Sequence, residues 1–452
     1  MSRLLRNWLL GWLLSWLLNG VYLTLMLAAS PWIVWSAVRH GKYRQGFAQK
    51  LFGLVPRRES GRLCVWLHAV SVGEVNLLAT TLDALGNSRP DGEFVISTTT
   101  RAGYELACRK YAEHTVFYCP LDFSWAVKSA LRRLQPDLLV LAELELWPNL
   151  IRAARQRGTK VAIINGRLSD NSFRGYRRLR SLVAHLLQQI DLIAAQNEET
   201  ADRFRRLGAA RVTVSGSLKF DGTLTDRENR QTQELSKLAG ITDRDVVLLA
   251  GSTQTPEEQY VIEIFQALSK EYPQLRLILV PRHPQRFEEV AQLLQRAKIP
   301  WIRRSALPGP HSAILNPHSV ILVDSIGELG AWWGTATIGL VGGSFGSRGG
   351  QNMLEPAAYG VATCFGPSTR NFRDIVGQLL AARGAQVVND HAELEQFVRQ
   401  ALNHPAQARQ LGQRARELVL SQQGATQRTV ELLLPLIDCR KVTLRQEQIE
   451  AA

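Results

Sequence analysis

Residues 337–360 read TIGLVGGSFGSRGGQNMLEPAAYG: a short apolar run, a glycine-rich loop and a segment that resembles a helix start. Five glycines fall within the nine positions 342–350. Such loops between a strand and a helix expose backbone N–H groups, which commonly hold an anion. The segment predicts a strand–loop–helix unit of a Rossmann-like domain whose loop holds a phosphate; a tight turn without a ligand is the alternative.

The same alternation of apolar runs and amphipathic segments occupies two blocks of the chain, separated by the polar stretch 222–240. Unbroken apolar strands separated by helices indicate parallel sheets that are covered on both faces. The sequence therefore predicts the α/β class, with two Rossmann-like domains facing each other across a cleft. The predicted strands are 64–70, 93–100, 115–120, 137–144, 160–166, 191–196 and 212–218, then 246–252, 275–281, 320–324, 337–344 and 361–367.

The N-terminal segment predicts a membrane anchor. Residues 7–38 contain no charged side chain, and about 20 apolar residues suffice to span a bilayer. Trp8, Trp12 and Trp16 recur on one helical face, so the helix either spans the bilayer or lies in its surface. A cleaved signal peptide is disfavoured because the apolar run is too long. The Arg and Lys residues that follow the segment place the body of the protein in the cytoplasm.

The length of 452 residues exceeds what one core can hold, so several parts are expected. The predicted parts are a membrane-anchor helix at 1–38, an N-terminal Rossmann-like domain at 39–225, a C-terminal Rossmann-like domain at 226–435 and a C-terminal tail at 436–452.

Composition narrows the class of partner. The formal net charge is +14, which suits nucleic acid, an anionic membrane surface or an acidic substrate. The chain has no helix-turn-helix signature, zinc-finger spacing or aromatic RNA-binding pattern, so no nucleic-acid partner is expected. Its five cysteines are scattered without a CxxC, which disfavours a disulfide framework or a structural zinc site.

Charged residues follow several predicted strands of the first block. Glu74 follows the first strand, Glu143 and Glu145 end the fourth, and Lys219 ends the seventh. Glutamates two positions apart on a strand face the same side and raise each other's pKa, as an active site can require. The alternatives are a helix-start role for Glu74, which the helix dipole favours, and a solvated strand end for the other two glutamates.

The second block offers groups that suit a nucleotide. Arg282 lies in a stiff Pro-x-x-Pro turn after a strand and is expected to bind phosphate; a surface ion pair is the alternative. Asn352 and Glu355 resemble a capping box, but Pro356 predicts that the helix begins at that residue. Glu355 would then be available to two sugar hydroxyls, such as those of a ribose. Asp243 and Asp245 precede a strand, so no metal site is expected there.

Ten sequence blocks occur in the same order as in the bacterial 3-deoxy-D-manno-octulosonic acid (Kdo) transferases that are specific for lipid A, and the chain resembles that family from residue 60 to 375. The resemblance implies a two-domain GT-B glycosyltransferase at the cytoplasmic face of the inner membrane. It implies CMP-Kdo as donor, a lipid A precursor as acceptor and no metal or other cofactor; we expect the transfer to be a single displacement that inverts the sugar. The blocks are LHAVSVGE (67–74), ELELWPN (143–149), INGRLSDNSFRGY (164–176), AAQNEE (194–199), GSLKFD (216–221), AGST (250–253), LILVPRHPQRF (277–287), DSIGEL (324–329), GGQNMLEPAA (349–358) and GPSTRNFRDI (366–375).

The resemblance also implies roles for single residues. Glu74 matches the general base, and Glu143 and Lys219 match residues that stabilise the transition state. The matching CMP contacts are Pro281, Arg282, Ile326, Gly327, Glu328, Asn352, Met353, Leu354 and Glu355. The chain departs from the family pattern where Gln254 and Gln351 replace the usual histidines. A GT-B enzyme that uses another nucleotide sugar, and a membrane-anchored lipid A-precursor-binding protein without catalysis, stay open as alternatives.

Overall fold

The computed structural model describes residues 3–40, 45–307 and 319–450. The chain divides into two compact units: unit 1 comprises Met1–Gly222 and Gln423–Ala452, and unit 2 comprises Thr223–Gln422. The first boundary lies close to the predicted one. The second differs from the prediction, because Gln423–Ala452 belong to unit 1 and are neither the end of the second domain nor a separate tail.

Unit 1 contains a parallel sheet of seven strands in the order β3-β2-β1-β4-β5-β6-β7. Most of its strand residues are buried, which explains the unbroken apolar runs in the sequence. All seven predicted strands of the first block are confirmed, and the order reverses between β1 and β4. The strands are β1 Cys64–His68, β2 Glu93–Thr98, β3 Thr115–Tyr118, β4 Leu138–Ala142, β5 Lys160–Gly166, β6 Leu192–Ala195 and β7 Val212–Val214.

Helices connect these strands and cover both faces of the sheet. Several begin at a side chain that accepts an N–H of the first turn, as Ser71, Thr100, Ser169 and Asn197 do. The helices of this part are α1 Arg3–His40, α2 Phe47–Phe52, α3 Val72–Ser88, α4 Arg101–Lys110, α5 Ser124–Leu134, α6 Pro148–Gln156, α7 Asp170–Arg178, α8 Arg180–Leu187 and α9 Glu198–Arg206.

Helix α1 packs on unit 1 through polar side chains. The Asn19 amide is buried, donates to Ser124 Oγ at 2.8 Å and accepts the Ser124 N–H at 3.0 Å, so it caps α5. The Tyr22 hydroxyl donates to the Asp122 carboxylate at 3.2 Å. Apolar side chains of the same helix face outward instead: Leu17 is 66% exposed and Leu27 69%. This is the reverse of an amphipathic helix on a water-soluble protein.

The membrane-anchor prediction concerns this helix. In the parts of the chain that the structure describes, no helix combines the length and apolar character needed to cross a bilayer. The side chains of Trp8 and Trp12, on which the interfacial reading of the sequence rests, lie outside the described residues. Trp16 is described and is 56% exposed.

Unit 2 contains a second parallel sheet of seven strands, in the order β10-β11-β9-β8-β12-β13-β14. The five predicted strands of the second block are confirmed. The edge strands β10 and β14 are not predicted, because each has only three residues, one of them polar, and so lacks a long apolar run. The strands are β8 Val246–Thr253, β9 Leu275–Pro281, β10 Trp301–Arg303, β11 Val320–Leu322, β12 Ile338–Val341, β13 Ala362–Phe365 and β14 Ala385–Val387.

One helix start in unit 2 corrects the sequence analysis. Helix α14 begins at Leu354, two residues before the predicted start at Pro356. The Leu354 N–H donates to Asn352 Oδ1 at 3.1 Å, which satisfies an amide that a later start would leave outside the helix. The helices are α10 Arg230–Leu238, α11 Glu257–Leu268, α12 Phe287–Arg296, α13 Leu329–Trp333, α14 Leu354–Ala358, α15 Arg373–Ala381, α16 His391–Asn403 and α17 Pro405–Gln422.

The last helix, α18 Ala425–Glu450, returns to unit 1. Its side chains Leu433 and Ile437 are buried in the same apolar core as strand β1. The Asp221 carboxylate accepts the N–H groups of Gly424, at 2.8 Å, and Thr426. These contacts explain why the C-terminal segment belongs with the first sheet.

Candidate active site

The candidate residues lie where parallel α/β sheets usually bind ligands, beyond the carboxyl ends of strands at which the strand order reverses. In unit 1 these strands are β1 and β4, which Glu74 and Glu143 follow. In unit 2 they are β8 and β12, which Gln254 and the glycine-rich loop follow. Each unit therefore carries part of its candidate residues at its own switch point, whereas Lys219, Arg282 and Glu328 follow the other strands β7, β9 and β11.

Glu74 lies in the first turn of α3 and is part of the helix start. Its Oε2 accepts the Val70 N–H at 2.8 Å, and its Oε1 accepts the Ser71 hydroxyl at 2.8 Å. Burial raises the pKa of Glu74, and the charge of Glu143 raises it further. Each carboxylate oxygen has two lone pairs, so the two bonds leave acceptor capacity for a substrate proton. Glu74 therefore has a role at the start of α3, and its carboxylate can still accept a substrate proton.

Glu143 follows β4 in a conformation that is rare for a residue with a side chain. Its φ is 56°, in the left-handed region. Strained backbone of this kind is concentrated at functional sites, where the surrounding structure holds it in place. Lys219 Nζ lies 3.6 Å from Glu143 Oε1, and both side chains are partly exposed. The structure thus brings together the two residues for which the family resemblance implies a role in transition-state stabilisation.

Glu145 completes a group of three carboxylates in unit 1. It accepts the Trp147 indole N–H at 2.8 Å. Burial raises the pKa of Glu145, and the charges of Glu74 and Glu143 raise it further. Because β4 ends at Ala142, Glu143 and Glu145 are not the strand neighbours that the sequence predicts, and they come together in the loop that follows β4. The cluster therefore holds negative charge beside Lys219, and one of its members can act as a base.

Two buried polar residues support this cluster. Asn165, near the end of β5, has a φ of 52°, and its Oδ1 accepts the Leu218 N–H at 3.1 Å. This bond fixes the backbone immediately before Lys219. His68, at the end of β1, is fully buried, and its Nδ1 lies 2.9 Å from Ser97 Oγ. Burial lowers the pKa of His68 to about 4, so this histidine is neutral and suits a structural role.

In unit 2, three of the predicted CMP contacts lie close together. The Asn352 amide donates to Glu355 Oε1 at 2.9 Å. Burial raises the pKa of Glu355, while the Asn352 hydrogen bond and the nearby charge of Arg282 favour its ionised form. Arg282 is exposed in the turn after β9, and its guanidinium has no hydrogen-bond or ion-pair partner within the described residues. Glu355 binds a side-chain amide rather than backbone, so the capping-box alternative does not hold.

The other predicted CMP contacts are placed differently. The Glu328 carboxylate already accepts two N–H groups of Arg304, at 3.0 and 2.9 Å, and the Ser325 hydroxyl at 2.6 Å. Ile326 is 81% exposed, and Gly327 has a φ of 91°. A ligand at this position would contact an apolar side chain and exposed glycine backbone. The side chains of Pro281, Met353 and Leu354 are buried, which leaves only their backbone for a ligand.

The two positions that depart from the family pattern are neighbours in space. A Cβ on Gly343 would lie 3.1 Å from Gln351 Nε2 and 3.5 Å from Gln254 Nε2. Gln254 borders a cavity of about 320 Å³, which His283, Arg286, Gly343 and Arg348 also line, with other residues. Of these, Arg286 and Arg348 are not named as site residues in the sequence analysis, because neither lies directly at the end of a predicted strand.

Known proteins are similar to this chain at the level of sequence. Residues 42–222 match the family model described as 3-deoxy-D-manno-octulosonic-acid transferase (kdotransferase). A 3-deoxy-D-manno-octulosonic acid transferase of Haemophilus influenzae is 33% identical over 430 residues, which cover 92% of this chain and 98% of that relative. One of Bordetella pertussis is 33% identical over 440 residues, with the same two coverages.

A solved structure supports the fold. The UDP-GlcNAc 2-epimerase of Neisseria meningitidis, bound to UDP-GlcNAc, matches with a TM-score of 0.55 at 13% identity, over 82% of this chain and all of that one. At this identity the likeness concerns architecture alone. The two relatives, in contrast, are similar to the chain in sequence over nearly its whole length. Together with the family model, they show that this chain belongs to the 3-deoxy-D-manno-octulosonic acid transferase family.

Proposed function

We propose that this Kdo transferase takes Kdo from CMP-Kdo and transfers it to a lipid A precursor of the lipid IV-A type, in lipopolysaccharide core biosynthesis. The observation that carries the proposal is the cluster of Glu74, Glu143, Glu145 and Lys219 at the switch point of unit 1. A protein that only bound the precursor would have no use for a buried carboxylate group with raised pKa values.

The donor is proposed to bind unit 2. Arg282, which has no partner among the described residues, supplies positive charge for the phosphate of CMP. The Asn352–Glu355 pair offers an amide and a carboxylate to the hydroxyl groups of the ribose. Ile326 presents an exposed apolar side chain, which suits the face of the cytosine ring. Arg282 and Ile326 are exposed, and Asn352 and Glu355 are half-buried.

The proposed reaction is a single displacement. Glu74 accepts the proton of a glucosamine hydroxyl, and the oxygen attacks the anomeric carbon of Kdo. The bond from that carbon to the phosphate oxygen breaks, CMP leaves with the bonding electrons, and the configuration at the sugar inverts. Arg282 stabilises the charge on the leaving phosphate, and Lys219, oriented by Glu143, stabilises charge in the transition state. The predicted cleft between the two domains stays a prediction.

A membrane-bound acceptor fits the surface of unit 1. Helix α1 turns polar side chains toward the protein and apolar ones outward, as a helix in contact with lipid would. We propose that α1 anchors the enzyme to the cytoplasmic face of the inner membrane, where its net charge of +14 favours anionic lipids. Helices α7 and α8 add an exposed group of basic and apolar residues, namely Arg174, Arg177, Arg178, Leu179, Arg180 and Leu182.

The test is a transfer assay with the full chain in detergent. The protein is incubated with CMP-Kdo, a tetra-acylated lipid A precursor and EDTA, and the lipid is analysed by mass spectrometry. We expect the lipid to gain the mass of Kdo, and we expect the Glu74→Gln variant to yield little product. Product from a UDP-sugar but not from CMP-Kdo would favour another nucleotide sugar. Binding of the lipid without any product would favour a binding protein.

A further inference from the structure

The first half of the glycine-rich loop is built around a carboxylate of the protein itself. Glu257, the first residue of α11, is 1% exposed. Three of the N–H groups that it accepts belong to the loop after β12, and the fourth belongs to the turn after β8. The donors are Gly343 at 2.8 Å, Ser344 at 2.8 Å, Phe345 at 3.1 Å and Gln254 at 2.9 Å.

This arrangement corrects one expectation from the sequence. The glycine-rich loop predicts a bound phosphate, but the N–H groups of Gly343, Ser344 and Phe345 already donate to Glu257. A second anion at these amides would have to displace a buried carboxylate that holds four hydrogen bonds. The anion in this half of the loop is therefore internal, and CMP has to use other groups.

The same carboxylate explains the sequence of the loop. A Cβ on Gly342 would lie 2.7 Å from Glu257 Oε2 and 2.6 Å from the Ser252 carbonyl oxygen, distances that real Cβ atoms do not show. Gly343 has a φ of 66°, a conformation that favours glycine. The first two glycines thus let the backbone close around Glu257, which a ligand-based account of the loop does not require.

We propose that Glu257 is a positioning residue of the donor site. It holds Gly343, whose carbonyl oxygen accepts the Gly350 N–H at 2.8 Å, so the two halves of the loop are tied together. Gly350 lies two residues before Asn352 and five before Glu355 in the chain. A carboxylate that touches no substrate therefore sets where these two donor contacts lie. The role rests on the proposed function, since it assumes that CMP meets Asn352 and Glu355.

The ionised form of Glu257 is the one that the loop requires. Burial raises the pKa of Glu257, and the four N–H donors act in the opposite direction because they stabilise the carboxylate. A neutral glutamine in its place would keep one acceptor oxygen, and its NH₂ group would face backbone N–H donors that need an acceptor. The Glu257→Gln change therefore removes hydrogen bonds from the loop with little change of volume.

The test compares Glu257→Gln with Asp245→Asn in the full chain. Asp245 is the control because its carboxylate accepts the Thr242 N–H at 2.7 Å and because it directly precedes β8, at the end of that strand away from the loop. Hydrogen exchange of residues 343–345 should accelerate at least about tenfold in Glu257→Gln and stay unchanged in Asp245→Asn. The KM for CMP-Kdo should rise about tenfold in Glu257→Gln, while kcat changes less than about threefold because the cluster of unit 1 is untouched.

A purely structural role would give a different result. Partial unfolding lowers the active fraction, so it would reduce the apparent kcat at an unchanged KM. That result, or unchanged exchange at residues 343–345, would overturn the proposal. If Glu257→Gln does not fold, Gly342→Ala displaces the loop from the carboxylate and should show the same two effects. The exchange measurement needs no ligand, so its outcome is separate from that of the CMP-Kdo assay.

Discussion

Replacing Glu74 with glutamine separates its two roles. The side chain accepts one N–H and one hydroxyl. Glutamine can still accept the Val70 N–H through its oxygen, and its NH₂ group can donate to the Ser71 hydroxyl after that hydroxyl rotates. The helix start therefore keeps both contacts, and we expect a loss of unfolding free energy of at most about 1 kcal/mol. The amide cannot accept the substrate proton.

Loss of a general base costs about 10²–10⁴-fold in rate, so kcat should fall at least about 100-fold in Glu74→Gln. The assay is Kdo transfer from CMP-Kdo to the lipid A precursor at saturating substrates, with thermal unfolding and CMP affinity measured on the same preparation. CMP affinity should stay unchanged, because the proposed donor contacts belong to unit 2.

The matched control is Ser71→Ala. It removes the N-cap of α3 and the hydroxyl that donates to Glu74, but it leaves the carboxylate in place. We expect a stability loss of about 1 kcal/mol, which is typical of a lost N-cap, and activity within about fivefold of the wild type. If Glu74→Gln instead kept its turnover and lost more stability than Ser71→Ala, Glu74 would be a helix-start residue only, and Glu143 would become the leading candidate for the base.

Three further predictions concern the donor, the anchor and the glutamine pair. Arg282→Ala should weaken CMP binding by about 1.5–3 kcal/mol, measured by calorimetry, because a charge-assisted contact is lost; an unchanged affinity would remove Arg282 from the donor site. Deleting residues 1–38 should leave CMP binding intact and lower turnover at least about tenfold with acceptor in vesicles but not in detergent. Equal turnover in both would show that α1 does not present the substrate. The change in CMP-binding free energy of the double variant Gln254→His/Gln351→His should differ from the sum of the two single changes by more than about 0.5 kcal/mol, because both side chains meet at Gly343. Additive effects would argue against that contact.

Periodicity identified most of the fold, because strands buried on both faces leave unbroken apolar runs. The bounds of β5 and β9 agree with the prediction to the residue. Strands β10 and β14 lack such runs because they lie at sheet edges and are partly exposed. The return of α18 to unit 1 depends on contacts such as Asp221 with Gly424, and sequence patterns do not show contacts between segments about 200 residues apart.

The candidate site was predictable in position but less so in its chemistry. Glu143 and Lys219 follow the carboxyl ends of β4 and β7 and do come together, although β5 and β6 lie between these strands. The bond from the Leu218 N–H to Asn165 holds the segment before Lys219 beside β5. The sequence could not show that the Glu328 carboxylate accepts hydrogen bonds from Arg304, or that the Glu257 carboxylate accepts N–H groups of the loop. Both facts depend on which side chains satisfy each other in three dimensions. Glycine spacing indicates that a loop surrounds an anion, and it does not show whether that anion belongs to a ligand or to a side chain of the protein.

The attachment of α1 has a consequence for how the enzyme would work at a surface. A flexible linker lets a tethered domain tumble, so its active site samples every angle to the bilayer. Asn19 and Tyr22 instead join α1 to the starts of α5 and α6, within the same unit that carries Glu74. On the proposed membrane, the depth and roll of α1 would therefore fix the height and tilt of the catalytic edge above the lipid. Acceptors whose sugars stand at different distances from the bilayer would then be discriminated by geometry before any sugar contact is made.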